Sequence, residues 1–197
     1  MSMILGFRIL LTDAKICMYG DDFEFGPDPK NKCLKYRCIY EINYLPDNFK
    51  IPRNTKSDFL ITYEGFHLVT AAVIKFCKKN KYKDIEFVPL PGNSNYYWMK
   101  PHAVIEYDFK KADTKFIRYS KNCRGYREVI GGYPVCLKKV KSLGDNFYRT
   151  DISFGSVDGK HPLILIGTET FNKLKESGLR GVYFEKVLDK YEWEKIS

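Results

Sequence analysis

The stretch Pro162-Leu163-Ile164-Leu165-Ile166-Gly167-Thr168-Glu169-Thr170-Phe171-Asn172-Lys173-Leu174-Lys175-Glu176-Ser177-Gly178-Leu179-Arg180-Gly181-Val182-Tyr183-Phe184-Glu185-Lys186-Val187 reads as strand, short helix, strand. Residues 163–166 form a continuous apolar run of the length of a buried strand. Thr168 is placed to cap the helix, with Glu169 in the first turn, where a negative charge suits the helix dipole. Gly178 is placed to turn left-handed past the helix end, letting Leu179 fold back on Leu174. Val182 and Phe184 are spaced two apart, as on one face of a strand.

An earlier stretch repeats this pattern. Residues 59–62 form a short apolar run, and Thr62 is expected to cap a helix carrying Glu64 in its first turn. Phe66, Val69, Val73, Phe76 and Cys77 recur at three- and four-residue intervals, as on one helix face. Residues 85–88 alternate as residues 182–185 do. Matching Phe66 with Phe171 places Glu64 on Glu169 and Ile61 on Ile166, while the second strands match Phe87 with Phe184. The first helix region is then longer by about two turns. Two such units point to an internal duplication or a shared packing solution. A solenoid is excluded, since it needs at least three repeats.

The remaining segments are short and extended. Residues 3–11, 34–45, 96–99, 103–107 and 116–119 read as strands. Residues 127–130 and 133–137 are expected to flank a Gly131-Gly132 turn. Residues 20–32 are loop, and Tyr191 to Trp193 would tie down the chain end. The fold expected is α+β, a mixed, mostly antiparallel sheet with two strand–helix–strand units and few helices. No low-complexity linker interrupts the 197 residues. We read one domain over 1–197, divisible at most into lobes 1–118 and 119–197 that share one core.

Composition narrows the functional classes. With 44% hydrophobic and 16% aromatic residues, the chain can fill a sizeable core, which excludes disorder. The net charge of +9 raises nucleic acid or an acidic partner. The densest basic runs, 78–83 and 138–141, belong to no nucleic-acid motif and read as solvated surface. Cys17, Cys33, Cys38, Cys77, Cys123 and Cys136 form no C-x-x-C pair, so neither a metal site nor a cofactor is expected. Free thiols in a reducing cytoplasm are the default. Residues 1–12 lack the features of a signal peptide, and no run is long enough to span a bilayer, so no membrane role is expected.

No catalytic residue stands out. His67 falls on the first expected helix, His102 follows a proline, and His161 sits in a Gly-Lys-His-Pro turn; all three read as surface or locally hydrogen-bonded. Asp21, Asp22 and Glu24 read as a solvent-facing loop. Residues 155–160 lack the spacing of a phosphate loop and read as a turn. Tyr96, Tyr97 and Trp98 could stack bases, but strand aromatics are more often core. A triad assembled from distant residues stays open.

Residues 120–127 and 144–151, followed by the ending Phe171…Leu174…Ser177-Gly178-Leu179-Arg180-Gly181-Val182-Tyr183-Phe184, carry a resemblance. In this order they resemble immunity proteins of bacterial polymorphic toxin systems, including the double-CXXCG motif proteins. In those relatives a helix followed by Gly-Leu-x-Gly-Val-x-Phe closes the chain. Only Cys123 remains near the cysteine motif here, which puts any metal site of those relatives in doubt. The resemblance implies a non-enzymatic protein that neutralises a cognate toxin domain by stoichiometric binding. A basic chain would suit a toxin with an acidic face more than a nuclease. Arg124, Tyr126 and Arg127 are the expected contact residues, because Arg and Tyr are enriched at binding hot spots. A basic nucleic-acid-binding module and a small enzyme remain the alternatives.

Overall fold

The computed structural model describes residues 2–15, 32–33, 38–39, 56–90, 95–121, 124–156 and 160–190. The expectations for residues 16–31, for most of 34–45, for 157–159 and for Tyr191 to Trp193 lie outside them, as do Cys17 and Cys123. The chain runs β1 (Ile4–Asp13), β2 (Lys32–Cys33), β3 (Cys38–Ile39), β4 (Phe59–Ile61), β5 (His67–Thr70), α1 (Ala71–Lys79), β6 (Ile85–Pro89) and β7 (Tyr96–Pro101). It continues β8 (Val104–Ile105), β9 (Lys115–Ser120), β10 (Gly125–Ile130), β11 (Phe147–Ser156), β12 (His161–Ile166), α2 (Thr168–Glu176) and β13 (Val182–Leu188). Among the described residues the architecture is α+β: one large mixed sheet, mostly antiparallel, a small β2–β3 pair and two helices. Its parallel contacts are β1 with β4 and β8 with β11.

The apolar run 163–166 becomes the C-terminal part of β12, hemmed in by β11 on one side and β1 on the other. A strand in that position buries both faces, so alternation disappears from its sequence. Ile164 and Ile166 pack towards the helices with Phe7, Ile9, Val73, Cys77 and Leu174. Leu163 and Leu165 pack on the opposite face with Leu5, Val187, Tyr107, Val135 and Leu143. Each fully buried side chain of this size contributes about 1.5–3 kcal/mol of transfer free energy.

The repeat is real, but its register differs from the expected one. The helix of the first unit starts at Ala71, not near Thr62, and both helices have nine residues. Ile85 follows Ala71 by fourteen residues, as Val182 follows Thr168, so no insertion is needed. Phe87 thus falls on Phe184 as expected, whereas Glu64 does not fall on Glu169. The three–four spacing of Phe66, Val69 and Val73 straddles a strand–helix boundary, which is why it mimicked a helix. Residues 64–69 are all buried, through the turn and into β5, which is covered on both faces. Thr62 instead closes the β4–β5 turn: its hydroxyl accepts the Phe66 N–H at 3.2 Å, and its carbonyl accepts the Gly65 N–H at 2.9 Å.

Each unit is a β–α–β crossover with one strand inserted in its middle. In the first, β7 lies between β5 and β6, antiparallel to both. In the second, β1 takes that position between β12 and β13, again antiparallel to both. The second unit therefore takes its central strand from the other end of the described chain. Outer hairpin strands match as well, β4 beside β5 and β11 beside β12.

Two carboxylates stitch the units together. Asp58 accepts the Thr70 hydroxyl at 2.8 Å and the Arg180 N–H at 2.9 Å. Asp145 accepts Tyr82 at 2.8 Å, Thr170 at 2.9 Å and the Lys173 ammonium. Burial alone would raise the pKa of Asp145, but these hydrogen bonds and the Lys173 charge hold it below the usual carboxylate range.

The helix ends correct two further expectations. Gly167, not Thr168, is the N-cap of α2, and no side-chain cap bond forms. A Cβ at 167 would lie 2.0 Å from the Gly144 carbonyl oxygen, so the backbones meet too closely for a larger cap. At the other end Gly178 is left-handed as expected (φ 73°), and Leu179 joins the cluster containing Leu174. Ser177 satisfies the Leu174 carbonyl there with both its N–H and its hydroxyl. Residues 133–137 do not pair with β10, which is flanked by β9 and β11 instead. Pro134 has no N–H for a ladder, and Val135 and Cys136 are buried under the sheet.

Candidate functional site

The β9–β10 hairpin ends the sheet on one side and carries the expected contact residues. Its ladder places Tyr126 opposite Tyr119 and Glu128 opposite Ile117. Tyr119 is 55% exposed and Tyr126 37%, large values for tyrosines inside strands. Their rings meet edge to face at 5.1 Å. Phe116 packs against Tyr126 at 5.1 Å and against Phe109 at 5.5 Å, so a line of rings runs from the core to solvent. Each ring limits the rotation of the next, which reduces the entropy lost when a partner covers them.

Basic residues flank the two tyrosines along the hairpin. Arg118, Lys121 and Arg124 are exposed, and Arg118 pairs with Glu128 at 3.6 Å. Arg118 (φ 57°) and Arg124 (φ 49°) are left-handed, a backbone state that non-glycine residues adopt rarely. Arg127 is half-buried, and its Nε is enclosed with no hydrogen-bond partner among the described residues. The structure thus brings Arg124, Tyr126 and Arg127 onto one hairpin and adds Arg118, Tyr119 and Lys121. The sequence reading missed Tyr119 because it paired 127–130 with 133–137 rather than with 115–120.

Beneath the hairpin lies a buried polar cluster built by consecutive residues of β12 and the segment before it. Lys160 is only 4% exposed, and its ammonium donates to the Tyr126 carbonyl. This bond fixes the backbone of the strand that carries Tyr126 and Arg127. Its neighbour His161 reaches across to the β4–β5 turn. There Gly65 has φ 87°, and a Cβ on it would sit 2.1 Å from His161 Nδ1. Only glycine fits that approach and that backbone conformation together.

His67, expected on a helix surface, is a buried residue of β5. Its ring lies 5.7 Å from that of His161. Burial first, and then the charges of His161 and Arg8, push its pKa down to about 3. It is therefore a neutral core imidazole at physiological pH. Arg8 itself pairs with Glu185 at 3.4 Å. Glu64 and Thr62 complete the buried polar set around the turn.

Other expected positions fall elsewhere. His102 is exposed and lies 3.3 Å from Glu86 at the far edge of the sheet. Tyr96 and Trp98 are buried, so the tyrosine-rich stretch is core rather than a stacking platform. Burial pushes the Cys77 thiol up to about 12 and raises that of Cys136, which leaves both as inert, uncharged core groups at neutral pH. Among the described residues, no group of three or more His, Cys, Asp or Glu is placed to hold a metal ion. Among them, no helix is long and apolar enough to cross a membrane. No protein-family model matches the chain, and no curated protein matches it.

Proposed function

We propose that the protein is a cytoplasmic immunity protein that binds a cognate bacterial toxin domain stoichiometrically and neutralises it. One observation carries the reading: a solvent-facing tyrosine pair, flanked along its hairpin by arginine and lysine and braced by Lys160. Tyr and Arg dominate binding hot spots, and a rigid aromatic anchor with an adaptable charged rim is how such interfaces gain affinity. The ordering of the chain ending, Ser177-Gly178-Leu179-Arg180-Gly181-Val182-Tyr183-Phe184, supports the same reading through its resemblance to immunity proteins. The mechanism is occlusion or distortion of the toxin, with no bond made or broken by this chain.

The test is co-expression with the C-terminal domain of a large secreted protein encoded beside this gene. Growth should be rescued, and a one-to-one complex should elute from a sizing column. A toxin domain that neither binds nor is neutralised ends the reading.

A further inference from the structure

We infer that the β9–β10 hairpin is the docking face of this protein, and that its partner is a protein surface presenting carboxylates. The inference rests on the binding function proposed above and adds the place and the chemistry of contact. Two observations carry it. First, the exposed rings of Tyr119 and Tyr126 are buttressed by Phe116, so the anchor is formed before any partner arrives. Second, Arg118, Lys121, Arg124 and Arg127 lie within ten residues, and among the described residues the acid that pairs with them is Glu128, already engaged by Arg118.

Carboxylates fit these donors better than a phosphate backbone does. An arginine fork donates two parallel hydrogen bonds to a carboxylate or to a phosphate, so the choice between them rests on the groups around it. Glu128 stands inside the patch and would repel a polyanionic strand, whereas a protein partner can place a neutral or basic residue against it. The two tyrosines meet at 61°, so each covers an edge of the other instead of offering two parallel faces to bases. An acidic partner face would also be steered by the overall charge of +9.

The experiment compares wild type with Tyr119→Ala, Tyr126→Ala and the double reversal Lys121→Glu/Arg124→Glu. Tyr183→Ala, an exposed tyrosine on β13, is the control. Binding to the toxin domain is measured by calorimetry, after thermal unfolding has confirmed each variant is folded. Where a tyrosine variant is unstable, Tyr→Phe and Arg124→Gln replace it. Each tyrosine truncation should weaken binding about tenfold or more, and the control should change it less than about threefold. The double reversal should also weaken binding about tenfold, and less so near 0.5 M salt, where charges are screened. Hairpin variants that bind like wild type while the toxin is still neutralised overturn the docking face and leave the function standing. A wild type that does not bind the toxin domain overturns both. A gel shift with duplex DNA and single-stranded RNA supplies the last arm. Steeply salt-dependent nucleic-acid binding lost in the double reversal overturns the protein partner.

Discussion

Between pH 7 and 5, acid should destabilise this protein through His67. Above pH 6.5 the imidazole is neutral in both the folded and the unfolded chain. Below it, the unfolded chain takes up a proton that the folded protein refuses until about pH 3, because the ring is buried beside His161 and Arg8. The stabilisation is therefore complete above pH 6.5 and is lost as pH falls from there towards 3. At pH 5 the loss is 1.5 pH units at 1.36 kcal/mol each, or about 2 kcal/mol. That is a sizeable part of the ~5–15 kcal/mol that holds a domain folded. The assay is urea unfolding of wild type and His67→Asn at pH 7, 6 and 5. Asparagine does not titrate, so the difference in stability between the two proteins isolates the histidine, whatever the static cost of the substitution. That difference should shrink by about 2 kcal/mol between pH 7 and 5. Two stability curves running parallel over this window would refute the reasoning.

Three further outcomes follow from packing. Gly65→Ala forces a Cβ into the His161 ring at φ 87° and should cost about 2 kcal/mol or more, read as a fall in melting temperature. Lys160→Met keeps the buried stem but leaves the Tyr126 carbonyl without its donor; about 1–3 kcal/mol should be lost, with faster amide exchange in β10. Leu165→Ala empties a fully buried position between β1 and β11 and should cost about 2–5 kcal/mol in chemical unfolding.

The second unit was legible in the sequence because its signals are local. An apolar run, a nine-residue helix and a left-handed glycine follow in uninterrupted order from 163 to 184. The first unit was blurred at its helix start. Residues 64–69 are buried without a break across the turn and the start of β5, so no period of two distinguishes them from a helix. The candidate site divides in the same way. Arg124, Tyr126 and Arg127 were visible from residue type, whereas Tyr119 needed the β9–β10 register, which no local signal fixes. His67 was misplaced for the same cause as the helix start. Its meeting with His161 joins residues more than ninety positions apart, and nothing in either neighbourhood announces the other.

The position of β1 has a consequence in time. β1 is the central strand of the second unit, yet the ribosome makes it before every other described strand, and 147 residues separate its end from the start of β12. At about 5–20 residues per second, β1 waits roughly 7–30 s for the strands that flank it along most of its length. Through that interval the apolar side chains of Leu5, Phe7 and Ile9 have no finished core, and both backbone edges beside them are open. The nascent chain must therefore be kept from pairing that strand with the wrong neighbour, a burden that falls on the translating cell well before the sheet can close.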